Sequence, residues 1–372
     1  MTFRRGPDWS GRLARFRQAW LPLELDAVVV SSRINIRYLT GFAGTAGLFL
    51  VDRDRAWLLV DGRYEQSVRA ALAERTMGSV DLESVPGPYS SALAALLARL
   101  GRTRVGFEAA DVTVAALSLW QDAAAAVAWT RTDKLVEDLR LHKDDYERQV
   151  FRRAGQLLSD VASRLEKLLA PGRTELEVAR SIDQELEARG FSGPAFPTVV
   201  ASGPGTARPH ARPGTRRLAA GDLVLLDFGG VLDGYCVDLT RMAVIGAARP
   251  EVAELFEAVR DAQAAALEAV RPGVVGSAVD AAARRVLTDR GLGGALRHAT
   301  GHGLGLEVHE APRLGLTGTR EHTDTLAEGM VCTIEPGAYV DGLGGVRIED
   351  DVLVTSDGYE ALTSAPRDLL VV

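Results

Sequence analysis

Four acidic residues interrupt otherwise apolar, strand-like segments of this sequence. Asp227 follows Leu225 and Leu226 in LVLLDFGG, and Asp238 follows Val237 in YCVDLTR. Glu335 lies in VCTIEPGAYV and Glu349 in GVRIEDDVLV. Carboxylates are rarely buried unless they are paired or bound to metal. A single acid in an alternating strand simply faces solvent. Four of them, two in each of two segments, point to a shared pocket. Four negative charges in one pocket repel and raise each other's pKa. A pair of divalent cations would balance that charge. Oxygen-rich sites suit Mn²⁺ and other hard or borderline cations, and an added imidazole also admits Fe, Co or Zn. Imidazoles are close by: His298, His302 and His309 fall in RHATGHGLGLEVHEAP, and His210 in SGPGTARPHARP. The other two histidines, His142 and His322, read as structural or exposed. Cys236 and Cys332 read as small apolar fillers.

The elements that must position these groups carry an internal repeat. APGRTELEVARSIDQELEARGFSG begins at Ala170 and RPGVVGSAVDAAARRVLTDRGLGG at Arg271. Pro171 and Pro272 are 101 positions apart, and the same offset relates Gly172 to Gly273, Val178 to Val279, Leu186 to Leu287, Arg189 to Arg290, Gly190 to Gly291 and Gly193 to Gly294. Each copy reads as a Pro-Gly stop, a capping residue, a helix and an Arg-Gly stop. Thr174 with Glu177 predicts a capping box, and Ser277 with Asp280 a looser one. Each copy is followed by acid-bearing strand sequence, the first with a hairpin turn at Asp233-Gly234. Packing of the two copies about a pseudo-twofold axis would make the four carboxylates converge.

Upstream, residues 26–31, 47–51 and 56–61 read as strands, and 63–74 and 90–100 as amphipathic helices. The alternation predicts a small α/β domain. The alanine-rich stretch 109–128 reads as a further helix. The pattern changes near Leu139, and 144–169 reads as one long charged helix bridging into a second domain.

The chain has 372 residues, enough for two or three domains of roughly 150 residues. It is 47% hydrophobic and 25% charged, as a globular protein is. Its net charge of -7 disfavours a nucleic-acid partner. No apolar run reaches the roughly 18 residues of a membrane span. The segment Met1 to Trp20 has arginines without an apolar core, so no secretory signal is expected. Two cysteines exclude a disulfide framework and a four-cysteine zinc site, and the expected compartment is a reducing cytoplasm.

From Leu139 onward the sequence closely resembles the pita-bread dinuclear metallopeptidases: methionine aminopeptidase, aminopeptidase P and prolidase. NIRYLTGFAGTAG and LLVDGRYEQS resemble the creatinase-like N-terminal domain of aminopeptidase P, prolidase and creatinase, which methionine aminopeptidases generally lack. The resemblance spans nearly the whole chain. It implies an α/β creatinase-like domain over residues 1–138 and an α+β pita-bread domain, with its pseudo-twofold repeat, over 139–372.

Carried over by motif, Asp227 in DFGG, Asp238 in VDLTR, His302 in GHGLG, Glu335 in IEPG and Glu349 in RIED look like five metal ligands. Creatinase and the non-catalytic relatives lack such an intact set. The resemblance also places His210, His298 and His309 at the substrate, with Arg347 orienting ligand carboxylates beside it. It implies two divalent metals, Mn first, that share a hydroxide for attack on the scissile carbonyl. Glu335 would move the proton, while His309 and His210 would bind the oxyanion or the peptide carbonyl. The implied substrates are Xaa-Pro dipeptides or short peptides, and the implied assembly is a homodimer. The short N-terminal domain leans toward the dipeptidase over aminopeptidase P. A dipeptidase must bind the free carboxylate of proline, and Arg33 in SSRINIRYLTGF is a candidate for that contact.

Overall fold

The computed structural model describes residues 6–316 and 324–372, so His322 lies outside the described residues. The chain divides into two compact units, 1–140 and 141–372.

In the first unit, β1 (Ala27–Val30), β2 (Leu48–Asp52), β3 (Ala56–Asp61), β4 (Asp81–Val85), β5 (Arg104–Glu108) and β6 (Ala128–Thr132) form one sheet in the order β4-β3-β2-β1-β5-β6. β1 and β2 are buried along their whole length, which is why they read as unbroken apolar runs. Val29, Leu50, Leu59, Leu97 and Trp120 belong to one core. The stretch 109–128 is not one helix. Thr113 caps a helix over Val114–Ala123, and Ala128 already belongs to β6, which pairs in parallel with β5. The edge of the sheet claims what alanine propensity alone assigns to helix. A helix at Arg33–Thr40, capped by Ser32, follows β1.

The second unit contains β7 (Val199–Ser202), β8 (Leu223–Leu232), β9 (Tyr235–Val244), β10 (Gly301–Gly303), β11 (Glu310–Leu314), β12 (Val331–Ile334), β13 (Gly337–Val340), β14 (Gly344–Arg347), β15 (Asp350–Val354), β16 (Tyr359–Ala361) and β17 (Leu370–Val371). Among the described residues they form sheets ordered β17-β9-β8-β7 and β11-β10-β12-β15-β16, plus the β13-β14 ribbon. The long helix expected over 144–169 spans Asp145–Ala162 and then breaks before a short helix at Leu165–Leu168. Ser163 Oγ donates back to the Asp160 carbonyl, and Arg164 N–H bonds the Val161 carbonyl, which tightens the last turn. This helix lies within the second unit and packs Phe151 edge-on against Tyr235 of β9.

The repeat is visible in the structure. Its helices, Glu175–Ala188 and Gly276–Asp289, have 14 residues each and start 101 positions apart. Gly172, Gly190, Gly273 and Gly291 all take positive φ, as the stop signals require. Thr174 and Glu177 form the full capping box. The looser box does not form: Val275 occupies the cap position with no side-chain bond, and Asp280 is turned elsewhere. Asp233 and Gly234, both at positive φ, close the β8-β9 hairpin.

Candidate metal centre

Register explains how the first two carboxylates meet. In the β8-β9 ladder Asp227 pairs with Thr240 and Gly229 with Asp238, so both acids share one face, one diagonal step apart. Glu335 directly follows β12 and Glu349 directly precedes β15, two strands paired Ile334 to Asp350. The two hairpins are tied together at the site. Glu349 N–H donates to the Thr240 carbonyl at 3.3 Å, Thr240 Oγ1 donates to Glu349 Oε2 at 2.6 Å, and Asp238 N–H donates to Asp351 Oδ2 at 2.9 Å. His302 lies on β10, its N–H held by Thr333 Oγ1 at 3.1 Å.

One cavity of about 350 Å³ gathers Asp227, Asp238, His302, Glu335 and Glu349 with His210, His298, His309 and Arg347.

 The sequence singles out ten site residues. Nine of them line this cavity, and the tenth, Arg33, starts a helix of the first unit. Phe196, Val199, Pro209, Ala299 and Arg313 complete much of the wall.

The electrostatics are those of a site built for cations. Burial, then Glu349 and Asp227, push Asp238 well above the usual carboxylate range. Burial, then Glu335 and Asp227, do the same to Glu349. Burial pushes Glu335 up to about 7, with Arg347 opposing and Asp227 adding to the rise. Burial, then His309, hold His302 at about 3, so its imidazole is neutral and free to coordinate. Asp238, His302 and Glu349 each offer a ligand atom within 4.8 Å of the others. Asp238 Oδ1 and Glu349 Oε1 are buried with no hydrogen-bond partner. Such orphaned oxygens cost free energy unless something else binds them, and a divalent cation fits both.

Around these groups runs a connected set of hydrogen bonds. Arg347 pairs with Asp227, donates from Nε to Thr240 Oγ1 at 3.1 Å, and donates from Nη1 to Tyr339 Oη at 2.7 Å. Tyr339 Oη also meets His298 Nε2 at 2.8 Å. Burial, then Arg347, hold His298 at about 4. His309 packs edge-on against His302, with ring centroids 4.3 Å apart. His142 is exposed, and both cysteines are buried and free.

Sequence reading missed Tyr339 and Arg313. Tyr339 looks like an ordinary apolar residue of β13. Arg313 immediately follows the HEAP motif, and that position was its only signal.

Residues 149–356 match the model of metallopeptidase family M24, more than half of the chain. The chain belongs to that family. Residues 12–142 match the creatinase/prolidase N-terminal domain. Among relatives of the family, a Xaa-Pro dipeptidase of Pyrococcus furiosus is 32% identical, over 93% of this chain and 95% of its own length. A solved Xaa-Pro dipeptidase from Bacillus anthracis superposes with a TM-score of 0.92 at 32% identity, covering 98% of this chain and all of that one. An X-Pro aminopeptidase from Thermotoga maritima gives 0.87 at 30% identity, covering 95% and 100%. The pita-bread fold and the metallopeptidase class of this chain follow from these matches.

Proposed function

We propose that this protein hydrolyses the Xaa-Pro peptide bond with two divalent metal ions, and that it acts as a dipeptidase. The observation that carries the reading is the cavity in which five ligand-type side chains converge and two buried carboxylate oxygens lack partners. Asp227, Asp238, His302, Glu335 and Glu349 would hold the metals, with Mn²⁺ preferred and Co, Zn or Fe as alternatives. When bound, such a pair supplies Lewis acidity and lowers the pKa of water.

The chain's own residues do the rest. Glu335 accepts a proton from the attacking water on a carboxylate oxygen and passes it to the leaving nitrogen. That nitrogen belongs to proline and has no hydrogen of its own, so it must be protonated to leave. His309 and His210 donate N–H groups to the developing oxyanion. His298 contacts substrate from its Tyr339-bound ring. Arg347 fixes Asp227 and, through Thr240, Glu349.

Arg313 supports the dipeptidase reading. Arg313 lines the cavity, and among the described residues no hydrogen bond or ion pair engages its guanidinium. An arginine there suits the carboxylate that follows proline in a dipeptide. Arg33 is a second candidate for that contact. Arg33→Ala should then weaken cleavage of Ala-Pro and spare Ala-Pro-Ala. The aminopeptidase relative favours a second reading, cleavage of longer Xaa-Pro-Yaa peptides. Hydrolysis of Ala-Pro against Ala-Pro-Ala, with Mn²⁺, before and after chelation, separates the two. A dipeptidase cleaves only the first, loses activity on chelation and regains it with Mn²⁺. No bound metal and no turnover would instead indicate a peptide-binding module. A homodimer is part of the same reading, and analytical ultracentrifugation tests it.

A further inference from the structure

Two buried carboxylates of the repeat helices lie outside the ligand set. Glu175, 6% exposed, is the first residue of the helix Glu175–Ala188. It does not serve that helix. Its Oε1 accepts from Ser202 N–H at 2.8 Å and Ser202 Oγ at 2.6 Å, and its Oε2 accepts from Gly214 N–H at 3.0 Å. Ser202 and Gly214 bracket the loop that carries His210. One carboxylate therefore pins both ends of that loop.

Asp280, fully buried, sits on the helix Gly276–Asp289 and likewise serves a loop. Its Oδ1 accepts from Thr300 N–H at 3.0 Å and Thr300 Oγ1 at 2.8 Å, and its Oδ2 accepts from Arg284 Nε at 2.6 Å. Arg284 in turn donates to the carbonyls of Leu296 at 3.1 Å and His298 at 2.8 Å. Alternate residues on either side of His298 are thus held. Thr300 also accepts the Glu335 N–H through its carbonyl at 2.7 Å.

We infer that Glu175 and Asp280 are positioning residues, one per repeat, each tying down the loop that presents a substrate-facing histidine: His210 for Glu175 and His298 for Asp280. The inference rests on the substrate role proposed above for those two histidines. Charge-assisted bonds to backbone N–H groups are short and directional, so they hold a loop in one geometry. A histidine displaced by about 1 Å loses much of its catalytic effect.

A double-mutant cycle tests this. Glu175→Gln turns one acceptor oxygen into an amide that opposes a backbone N–H. With Mn²⁺ present it should lower kcat/KM for Ala-Pro by about tenfold, while bound metal per chain, read by atomic emission, stays at the wild-type value. In a His210→Ala background the same change should cost less than about twofold, because the loop then has nothing to position. Asp280→Asn should lose part of its effect in a His298→Ala background, the remainder reflecting Thr300, whose carbonyl also holds the Glu335 N–H. A full tenfold loss in the histidine-free backgrounds would overturn the inference. His210→Ala and His298→Ala that leave kcat/KM untouched would instead overturn the substrate role of the histidines. If Glu175→Gln fails to fold, Ser202→Ala removes one donor of three. Its smaller loss should vanish in the His210→Ala background, and persistence of that loss would count against the clamp.

Discussion

Glu108 in the first unit and Glu349 in the second are both buried glutamates with raised pKa, yet they do different things. Glu108 accepts from Ser31 N–H at 2.6 Å, Ser32 N–H at 2.7 Å and Asn35 Nδ2 at 2.6 Å. It holds the two backbone N–H groups just ahead of the Ser32-capped helix Arg33–Thr40, and both of its oxygens are used. Glu349 accepts from Thr240 on one oxygen and has no partner on the other. Asp350, next to Glu349, shows that proximity to the site is not the cause. It is buried too, but Arg241, Arg367, Gln263 and Thr363 surround it. Burial alone does not mark chemistry. An unfilled acceptor on a carboxylate that lines the shared cavity, as in Asp238 and Glu349, is the sharper mark.

The comparison breaks most visibly in turnover. Glu335→Ala should lower kcat/KM by about 10³-fold without unfolding the protein, while Glu108→Gln should leave steady-state rates near wild type. Appreciable activity in the first variant would show that another group moves the proton. The same contrast extends to cations. Arg313→Ala should raise KM for Ala-Pro by about tenfold and spare Ala-Pro-Ala, because no group among the described residues is bonded to its guanidinium; equal loss on both peptides would remove it from carboxylate binding.

Stability sharpens the distinction between filled and unfilled carboxylates. In chelated protein, Asp238→Asn removes a repelled charge and should raise the melting temperature by about 2–4 °C. Asp350→Asn leaves two arginines short of a partner and should lower it. Scanning calorimetry that found the same sign for both would erase the distinction. The smallest effect concerns pH. Burial raises Glu108 from 4.5 to about 7. Between those values the folded state holds a proton that the unfolded state has released, so stability from this group is full below pH 4.5 and is lost as pH rises through about 7. Glu108→Gln should flatten the slope by an amount of order 1 kcal/mol, measured by urea unfolding at pH 5 and pH 8.

The ligand-type residues were legible because acids break apolar strands and histidines cluster in one motif. The repeat was legible because its glycines and prolines punctuate two helices at a single offset. Other features were not. Asp280 looked like a capping residue, since sequence spacing cannot tell a local acceptor from one aimed at Thr300, 20 positions away. The alanine-rich stretch looked helical because propensity is local, whereas its end was claimed by pairing with β5. Arg313 and Tyr339 carried no periodic signal.

Sequence by itself marked the ligand-type residues, most of the strands and turns, and the echo between two halves, because each of these depends on residue type and short-range spacing. Only tertiary structure decided which buried acids have partners and which loops the repeat helices hold. Those outcomes depend on hydrogen bonds between segments far apart in the chain, whose geometry exists only once the two hairpins have packed.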